Sequence, residues 1–268
     1  MMNKSILKCP ICSQPIRLFN KNYQCPNKHS FDLAKAGYVN LLLKQSKKSF
    51  GDSKEMIQAR QLFFSHNFYK PLKEQLTLLL RKINPPSILD SGCGEGYYTN
   101  HLANQLPNSD FYALDISKYA ISQATKSKLE INFLVASNQK LPFLDGSLAC
   151  ILNIYSPFDL SEYLRVLNNQ GYLILVASGK NHLIELKEVL YDTVKIIEPD
   201  LIASTNLILK ESIPISFTFT LNNRELINSL FMMTPYYFRT SEKDKKKLEQ
   251  LSTLTLTADF IIYVYNKS

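Results

Sequence analysis

A glycine-rich turn at residues 92–96 constrains the fold of this chain more than any other feature of its sequence. The chain has eight glycines, and three of them, Gly92, Gly94 and Gly96, alternate directly after the run 88–90, which is apolar and ends in an acid. Because glycine weakens strands and helices, this spacing indicates a turn that needs free φ angles and close backbone approach. A strand, this turn and a helix in succession leave unpaired N–H groups beside the positive end of the helix dipole, which suits a nucleotide-like ligand.

Two further apolar runs follow in the order expected of a doubly wound parallel sheet. The run 111–114 ends in Asp115, and the run 133–135 ends at residues 136–138. An acid at the tip of the second strand can accept hydrogen bonds from both ribose hydroxyls of an adenosine, and the third strand would then end near the adenine. With its Gly-x-Gly-x-Gly turn, this order over residues 86–180 resembles the Rossmann-like, class I S-adenosylmethionine (SAM)-dependent methyltransferases. A plain βα turn without a ligand is the alternative.

Length and composition limit the possible classes of protein. A chain of 268 residues suits one large α/β domain and a small additional one. The net charge of +8 favours polyanionic partners without requiring them. No apolar stretch approaches about 18 residues, so we expect no membrane span. Because no signal-peptide core fits before Cys9, we expect a cytoplasmic protein, in which five cysteines are more often metal ligands or free thiols than disulfides.

Four residues near the N-terminus have the spacing of a metal site. Cys9 and Cys12 form a C-x2-C pair, and twelve residues later Cys25 and His29 form a C-x3-H pair. Two tight turns with two ligands each match a structural zinc ion with closed tetrahedral coordination, and residues 20–22 between them predict a hairpin. A module this small would take its folding energy from the metal. Free thiols at coincidental spacing are the alternative, and a zinc module could either contact nucleic acid or only brace its neighbour.

The segment that follows predicts a basic loop and two helices. Residues 44–52 are polar and basic, which suits either an RNA-phosphate contact or a solvated loop. Ser53 predicts a helix N-cap, and a leucine stripe predicts a helix over 69–83. The expected organisation is a zinc-binding domain that recognises RNA (1–36), connecting helices and a loop (37–84), and a SAM-dependent methyltransferase domain (85–268).

Several motifs together resemble one family, the bacterial 23S rRNA (guanine-N1)-methyltransferases (RlmA-type, guanine 745 branch). These motifs are the Cys/His quartet, Phe31-Asp32-Leu33-Ala34-Lys35, Gly37-Tyr38-Val39-Asn40-Leu41, Gly51-Asp52-Ser53, Gln58-Ala59-Arg60, the glycine-rich turn and Met233-Thr234-Pro235. The resemblance implies SAM and one structural zinc ion as cofactors, a guanine of the 745 class in a 23S rRNA hairpin as substrate, and a homodimer.

The resemblance also implies roles for individual residues. The residues implied to bind SAM are Tyr69, Gly92, Gly94, Glu95, Gly96, Asp115 and His182. Residues 154–157 span the end of the fourth strand and the start of the loop after it, where this fold places the methyl acceptor, and Tyr155 could stack on the target base. Guanine N1 carries a proton, for which Tyr155, Asp52 and His182 are candidate acceptors; Tyr155 and Asp52 are the residues we expect to act in catalysis. Taken alone, Tyr69 could be a helix anchor, and His182 a helix-start residue turned to water.

The C-terminal third predicts an antiparallel pair at the sheet edge. Its expected elements are a helix over 181–191, an irregular segment 199–212, a strand over 213–221, a helix over 223–233, a solvated helix start near 243–247 and a last strand over 258–265. Two other functions stay open: a small-molecule SAM-dependent methyltransferase, and a non-catalytic zinc protein that binds nucleic acid.

Overall fold

The computed structural model describes residues 6–43, 52–196 and 201–268. Most of the predicted basic loop, including Gly51, therefore lies outside the described residues. Among those described, no helix has both the length and the apolar character needed to cross a bilayer.

The N-terminal module is a small three-stranded antiparallel sheet. Its strands are β1 (Arg17–Phe19), β2 (Asn22–Gln24) and β3 (Ser30–Asp32). Asn20 and Lys21 connect β1 to β2 with φ angles of 46° and 66°. Two consecutive left-handed residues are typical of the turns that match the twist of a hairpin, so the predicted hairpin is confirmed.

The main body is an eight-stranded sheet in the order β10-β11-β9-β8-β5-β6-β7-β4. Its strands are β4 (Tyr38–Asn40), β5 (Ser87–Ser91), β6 (Asp110–Asp115), β7 (Ile131–Val135), β8 (Leu148–Ile154), β9 (Leu167–Ser178), β10 (Leu207–Leu221) and β11 (Leu254–Lys267). The strands from β4 to β9 pair in parallel, and β11 and β10 continue the sheet in antiparallel pairing. This is the predicted doubly wound α/β sheet with an antiparallel edge.

Eight α-helices are described along the chain. They are α1 (Lys54–Ser65), α2 (Lys70–Ile83), α3 (Tyr97–Gln105), α4 (Lys118–Ala124), α5 (Leu160–Val166), α6 (Ile184–Leu190), α7 (Arg224–Met232) and α8 (Glu242–Glu249). Short 3-10 helices cover Thr125–Ser127 and Pro235–Phe238. As predicted, Ser53 caps α1 by accepting a hydrogen bond from the Met56 N–H, which satisfies one of the free donors in its first turn.

The two faces of the sheet carry different partners. Side chains alternate across a strand, so Ile88 belongs to one buried cluster and its neighbour Leu89 to the other. The first cluster contains the leucine stripe of α2 and residues of α1, α3, α6 and α7. The second contains the N-terminal module through Leu7 and Ile16, together with Tyr163 of α5. The zinc-type module therefore shares a core with the main domain.

Two segments differ from the sequence expectations. Tyr38–Asn40, expected in a connector, forms edge strand β4 and pairs in parallel with β7. Part of the segment expected to be irregular is also strand, since β10 already begins at Leu207. The sequence does not reveal β4 because a strand of three residues is too short to show a pattern. It does not reveal the first half of β10 because charged residues such as Lys210 interrupt the apolar alternation on this exposed edge strand. The domain boundaries at 36 and 84 stay a prediction.

Candidate functional site

The glycine-rich turn lies at the carboxyl end of β5, between that strand and α3. Gly92 has a φ of +91°, and a Cβ atom there would lie 2.1 Å from Ser156 Oγ. Gly94 has a φ of +55°, and its Cβ would lie 3.4 Å from Arg60 Nη1. Both positions therefore need glycine for conformation, and Gly92 also needs it for space. The loop after β8 rests directly on the turn because Gly92 has no side chain.

The carboxylate of Asp115 joins the ends of two strands. Its Oδ2 accepts a hydrogen bond of 2.9 Å from the Gly94 N–H, and its Oδ1 accepts one of 2.8 Å from the Ser117 N–H. Burial raises the pKa of Asp115, while these two N–H groups lower it. The structure thus brings Asp115 beside the turn, as its position at the end of β6 predicted.

An ion-pair network covers the outer side of the turn. The Arg60 guanidinium contacts the Asp52 carboxylate through Nη2, and its Nη1 lies 3.7 Å from Glu95 Oε2. Glu95 Oε2 is buried and makes no hydrogen bond to the described residues. Burial raises the pKa of Glu95 to about 7, against the opposing effect of Arg60. Arg60 belongs to a family motif in the sequence, but nothing in its sequence neighbourhood indicates that it reaches the site.

Asp90, the next-to-last residue of β5, is a buried acid that the sequence pattern marks only as the end of an apolar run. It is 3% exposed and accepts a hydrogen bond of 2.5 Å from Thr99 Oγ1 on α3. Burial raises the pKa of Asp90 to about 7, and the hydrogen bond from Thr99 opposes this. Asp90 therefore fastens the first turn of α3 to the strand before it. A buried acid two residues before a glycine turn was the available signal.

Tyr69, His182 and Tyr155 lie together at the same edge of the sheet, around Phe260. The ring centroids of His182 and Phe260 are 4.8 Å apart, and the Tyr155 ring is 6.0 Å from His182 and 6.1 Å from Phe260. Tyr69 packs edge-on against Phe260 at 5.0 Å. Tyr69 anchors the start of α2 in this aromatic group, so its packing role and its predicted place at the site are compatible.

His182 is buried, at 8% exposure, and is not turned to water. Burial lowers its pKa to about 3, so the ring is neutral at physiological pH. Its Nδ1 accepts a hydrogen bond of 3.2 Å from the Asp259 N–H. The ring proton of this neutral form is therefore on Nε2, which is left as a donor.

The loop after β8 holds Tyr155 in a left-handed conformation, with a φ of 61° and 45% exposure. The side chain of Asn153 acts as a clamp on this loop through two hydrogen bonds to the Ser156 backbone. Its Nδ2 donates to the Ser156 carbonyl at 2.9 Å, and its Oδ1 accepts from the Ser156 N–H at 3.1 Å. The same Nδ2 also donates to the Tyr163 hydroxyl at 2.7 Å. Asn138, in the loop after β7, donates to Ser156 Oγ at 2.9 Å. Ser156 thus connects the loops after β5, β7 and β8.

The four predicted metal ligands converge in the N-terminal module. The ligand atoms of Cys9, Cys12, Cys25 and His29 all lie within 4.8 Å of one another. Neighbouring pairs are closer: His29 Nδ1 lies 3.5 Å from Cys9 Sγ and 3.4 Å from Cys25 Sγ, and the Sγ atoms of Cys12 and Cys25 are 3.6 Å apart. Zinc–sulfur bonds of about 2.3 Å and zinc–nitrogen bonds of about 2.0 Å give tetrahedral edges of about this length. The donor set therefore fits Zn²⁺.

The module is fastened to the main domain by its backbone. The Lys8 N–H donates to the Pro142 carbonyl at 3.0 Å, and the Leu144 N–H donates to the Ile6 carbonyl at 2.8 Å. A cavity of about 310 Å³ lies beside this contact, and its lining includes Cys9, Pro10 and Ser13 of the module and residues 136–137 and 139–142 of the main domain. The module therefore packs on the main domain, as the bracing alternative expects, and its recognition of RNA stays a prediction.

The main site also fits the cofactor that the sequence suggested. A glycine-rich turn, an acid at the end of the second strand, a buried glutamate oxygen that accepts no hydrogen bond from the described residues and a histidine N–H donor all lie along the carboxyl edge of the sheet. These groups complement the hydroxyls, ammonium and carboxylate of a nucleoside joined to an amino acid. Open α/β sheets bind ligands at this edge.

Comparisons with known proteins agree with both halves of this description. Residues 7–50 match the family model described as RlmA, N-terminal, a zinc ribbon, and residues 88–171 match a model described as methyltransferase domain. Among solved structures, the YcgJ protein from Bacillus subtilis aligns with a TM-score of 0.47 at 16% identity, over 72% of this chain and 98% of that one.

Two curated relatives cover most of the chain. The 23S rRNA (guanine(748)-N(1))-methyltransferase of Streptomyces fradiae is 32% identical over 189 residues, which are 69% of this chain and 67% of that protein. YxjB of Bacillus subtilis (strain 168), named for guanine-N1 methylation of 23S rRNA, is 31% identical over 281 aligned positions, which cover 97% of this chain and 96% of that protein. Since this second similarity runs through both domains, the chain belongs to the family of 23S rRNA (guanine-N1)-methyltransferases.

Proposed function

We propose that this protein transfers the methyl group of SAM to N1 of a guanine in a 23S rRNA hairpin. The observation that carries the proposal is the full-length similarity to YxjB, combined with the glycine turn and Asp115 at the carboxyl edge of the sheet. The guanine 745 class stays a prediction, because the relative with a numbered position is named for guanine 748. This substrate would place the reaction in the cytoplasm, as predicted.

Seven residues would hold the cofactor. Asp115 would bind the ribose hydroxyls, the turn of Gly92, Gly94 and Gly96 would let the backbone approach the cofactor closely, and Glu95 would bind the ammonium group. The Nε2–H of His182 is a donor for the carboxylate, and Tyr69 supports this end of the pocket by packing. When bound, SAM supplies a methyl group that its sulfonium already activates, so the protein needs no covalent nucleophile.

The protein's contribution to the rate is therefore mainly orientation. Holding the acceptor nitrogen in line with the methyl and sulfur can contribute about 7–11 kcal/mol. Guanine N1 lies on the base-pairing edge, so the target must be unpaired or flipped out of its stack. We assign Tyr155 to stack on this base, since its half-exposed ring is fixed by the Asn153 clamp at the acceptor loop.

The three candidate groups differ in how readily they can accept the proton of guanine N1. Burial raises the pKa of the Tyr155 hydroxyl well above its ordinary value, with a further contribution from Tyr69 and against the opposing effect of Ser178, so the hydroxyl stays protonated. His182 is neutral, and its only ring lone pair already accepts from Asp259. Asp52 is a carboxylate, but Arg60 engages it. Asp52 therefore remains the predicted acceptor on the condition that it exchanges Arg60 for the base when RNA binds.

The proposal is tested with 23S rRNA from cells that lack the native methyl groups, incubated with the protein and labelled SAM. Label at N1 of a guanine, located by mass spectrometry of RNA fragments, supports the proposal, and the fragment distinguishes position 745 from 748. Label in small metabolites alone, or cofactor binding without any transfer, would overturn it. The predicted homodimer is checked separately by light scattering of the purified protein.

Tyr155→Ala and Tyr155→Phe test the assigned base platform. We expect the alanine variant to lose about tenfold or more in turnover, since stacking of one base contributes about 1–3 kcal/mol. The phenylalanine variant should retain turnover, and both should bind S-adenosylhomocysteine as the wild type does. Unchanged turnover of Tyr155→Ala would reject the assignment.

A further inference from the structure

The connection between β10 and β11 forms a helical insertion over the site. It contains α7, the 3-10 helix Pro235–Phe238 and α8. Strand β11 runs antiparallel to β9, with Phe260 opposite Ser178, the last residue of β9. The start of β11 and the end of β10 therefore lie at the carboxyl edge of the parallel strands, where open α/β sheets bind ligands. The insertion crosses that edge.

Contacts place the insertion close to the acceptor loop. Tyr236 packs against the buried cluster that contains Tyr69 and Phe260, and its ring centroid lies 6.3 Å from that of Tyr191. The Tyr191 hydroxyl and Thr240 Oγ1 are 2.9 Å apart, which fastens the end of the 3-10 helix to the residue after α6. The insertion therefore packs beside the aromatic group that includes Tyr155.

That outer surface presents one aromatic ring and three cations. Phe238 is 71% exposed, the highest value among the exposed large hydrophobic residues described, and its ring meets Tyr237 edge-on at 5.4 Å. Arg239, Lys243 and Lys246 are exposed. Arg239 directly follows the 3-10 helix, and Lys243 and Lys246 lie on α8.

These cations differ from their neighbours in having no acidic partner. Lys245 is paired with Glu242 at 2.7 Å, and Lys247 with Asp244 at 2.8 Å. Arg239, Lys243 and Lys246 form no ion pair within the part of the chain that the structure describes. Unpaired cations around an exposed ring suit single-stranded nucleic acid, whose phosphates need positive charge and whose bases can stack on an aromatic face.

We propose that Phe238, Arg239, Lys243 and Lys246 form a binding surface for single-stranded RNA next to the target guanine. The proposal rests on the proposed function, since it assigns to this surface a part of the same RNA substrate. Phe238 stacks on an unpaired base, and the three cations bind phosphates on either side of it. The surface fixes the RNA strand that leaves the acceptor site, so that the target base stays over Tyr155.

Two variants of the full-length, zinc-loaded protein test this surface against an unmethylated 23S rRNA hairpin. Phe238→Ala should weaken RNA binding, measured by fluorescence anisotropy, by about tenfold to a hundredfold. The triple variant Arg239→Gln/Lys243→Gln/Lys246→Gln should lower the slope of log affinity against log salt by about 2, because each lost contact with single-stranded RNA removes about 0.7. Both should bind S-adenosylhomocysteine with the wild-type affinity, since neither touches its pocket.

The chain offers a matched control for each variant at other exposed positions. Leu78→Ala removes another exposed apolar side chain, on the outer face of α2. Arg81→Gln/Lys126→Gln/Lys128→Gln removes an equal charge near the amino ends of the parallel strands, at the opposite edge of the sheet. Circular dichroism confirms that all four variants fold.

The outcomes separate this inference from the proposed function. RNA affinity and salt slope equal to those of the controls would overturn the inference while wild-type methylation still supports the function. Variants that bind protein-free RNA normally but lose binding to assembled ribosomal particles would also overturn the inference, because this surface would then contact a ribosomal protein. If the wild type methylates no 23S rRNA at all, the proposed function itself fails.

Discussion

Replacing Asn153 should separate the orientation of the base from the binding of the cofactor. Its side chain is 3% exposed and makes three hydrogen bonds, two to the backbone of Ser156 and one to the Tyr163 hydroxyl. Each such bond contributes about 0.5–1.5 kcal/mol net, so Asn153→Ala should lower the free energy of unfolding by about 2–4 kcal/mol. Denaturation in urea, monitored by circular dichroism, measures this loss.

The same variant should reduce turnover by orientation alone. Tyr155 is held at a φ of 61°, a conformation that costs a non-glycine residue about 1–2 kcal/mol. Without the clamp this strain is released, and the ring moves from its place beside His182. Because Tyr155 serves as the stacking platform, which contributes about 1–3 kcal/mol, we expect kcat to fall by about tenfold, as in Tyr155→Ala. The dissociation constant for S-adenosylhomocysteine should change less than about threefold, because Asp115 and the glycine turn keep their own bonds.

Tyr163→Phe is the matched control for this experiment. It removes one of the three bonds and leaves both contacts of Asn153 with Ser156 in place. We therefore expect a loss of about 1 kcal/mol in stability and an unchanged kcat. Wild-type turnover in a destabilised Asn153→Ala, or an equal loss of turnover in Tyr163→Phe, would refute the idea that the clamp positions Tyr155.

Three further changes follow from the geometry. Gly92→Ala should abolish binding of S-adenosylhomocysteine by calorimetry, since its Cβ would meet Ser156 at 2.1 Å; Ser156→Gly in the same chain should restore part of it, and normal binding by the single variant would contradict this. Removal of zinc by a chelator should release one zinc ion per chain, by elemental analysis, and lower the melting temperature, because the module shares a core with the main domain; a metal-free protein with unchanged melting would contradict this. In the folded chain the pKa of Glu95 is raised from 4.5 to about 7, so the folded state holds this proton more tightly than the unfolded chain does. The contribution of Glu95 to the free energy of unfolding therefore falls as the pH rises from about 4.5 to 7. Glu95→Gln should reduce this pH dependence of the free energy of unfolding, measured by urea denaturation, and an unchanged pH dependence would show that Glu95 is not its source.

The sequence was informative wherever the chemistry lies in neighbouring residues. The metal quartet and the glycine turn are local patterns, and the hairpin at residues 20–22, the cap at Ser53 and the leucine stripe of α2 also follow from short-range rules. The position of Asp115 beside the turn was predictable as well, because parallel strands end at the same edge of a sheet.

Other features of the site could not be predicted because their partners are far apart in the chain. Arg60 reaches Glu95 from a helix thirty-five positions earlier, and Asn138 meets Ser156 across two strands. The burial of His182 depends on Phe260 and Asp259, which come from the last strand. A polar residue with helical or loop surroundings gives no sign of such contacts in the sequence.

The sequence by itself determined which ligands this chain can hold, since zinc coordination and a nucleotide-binding turn depend on residue types at fixed short spacings. Only the tertiary structure decided what the polar residues around these sites do. It engages Asp52 with Arg60, leaves His182 neutral with its proton on Nε2, and places Ser156 against Gly92. The physical reason is that protonation and hydrogen bonding depend on burial and on partners from distant strands, which the packing of the whole sheet brings together.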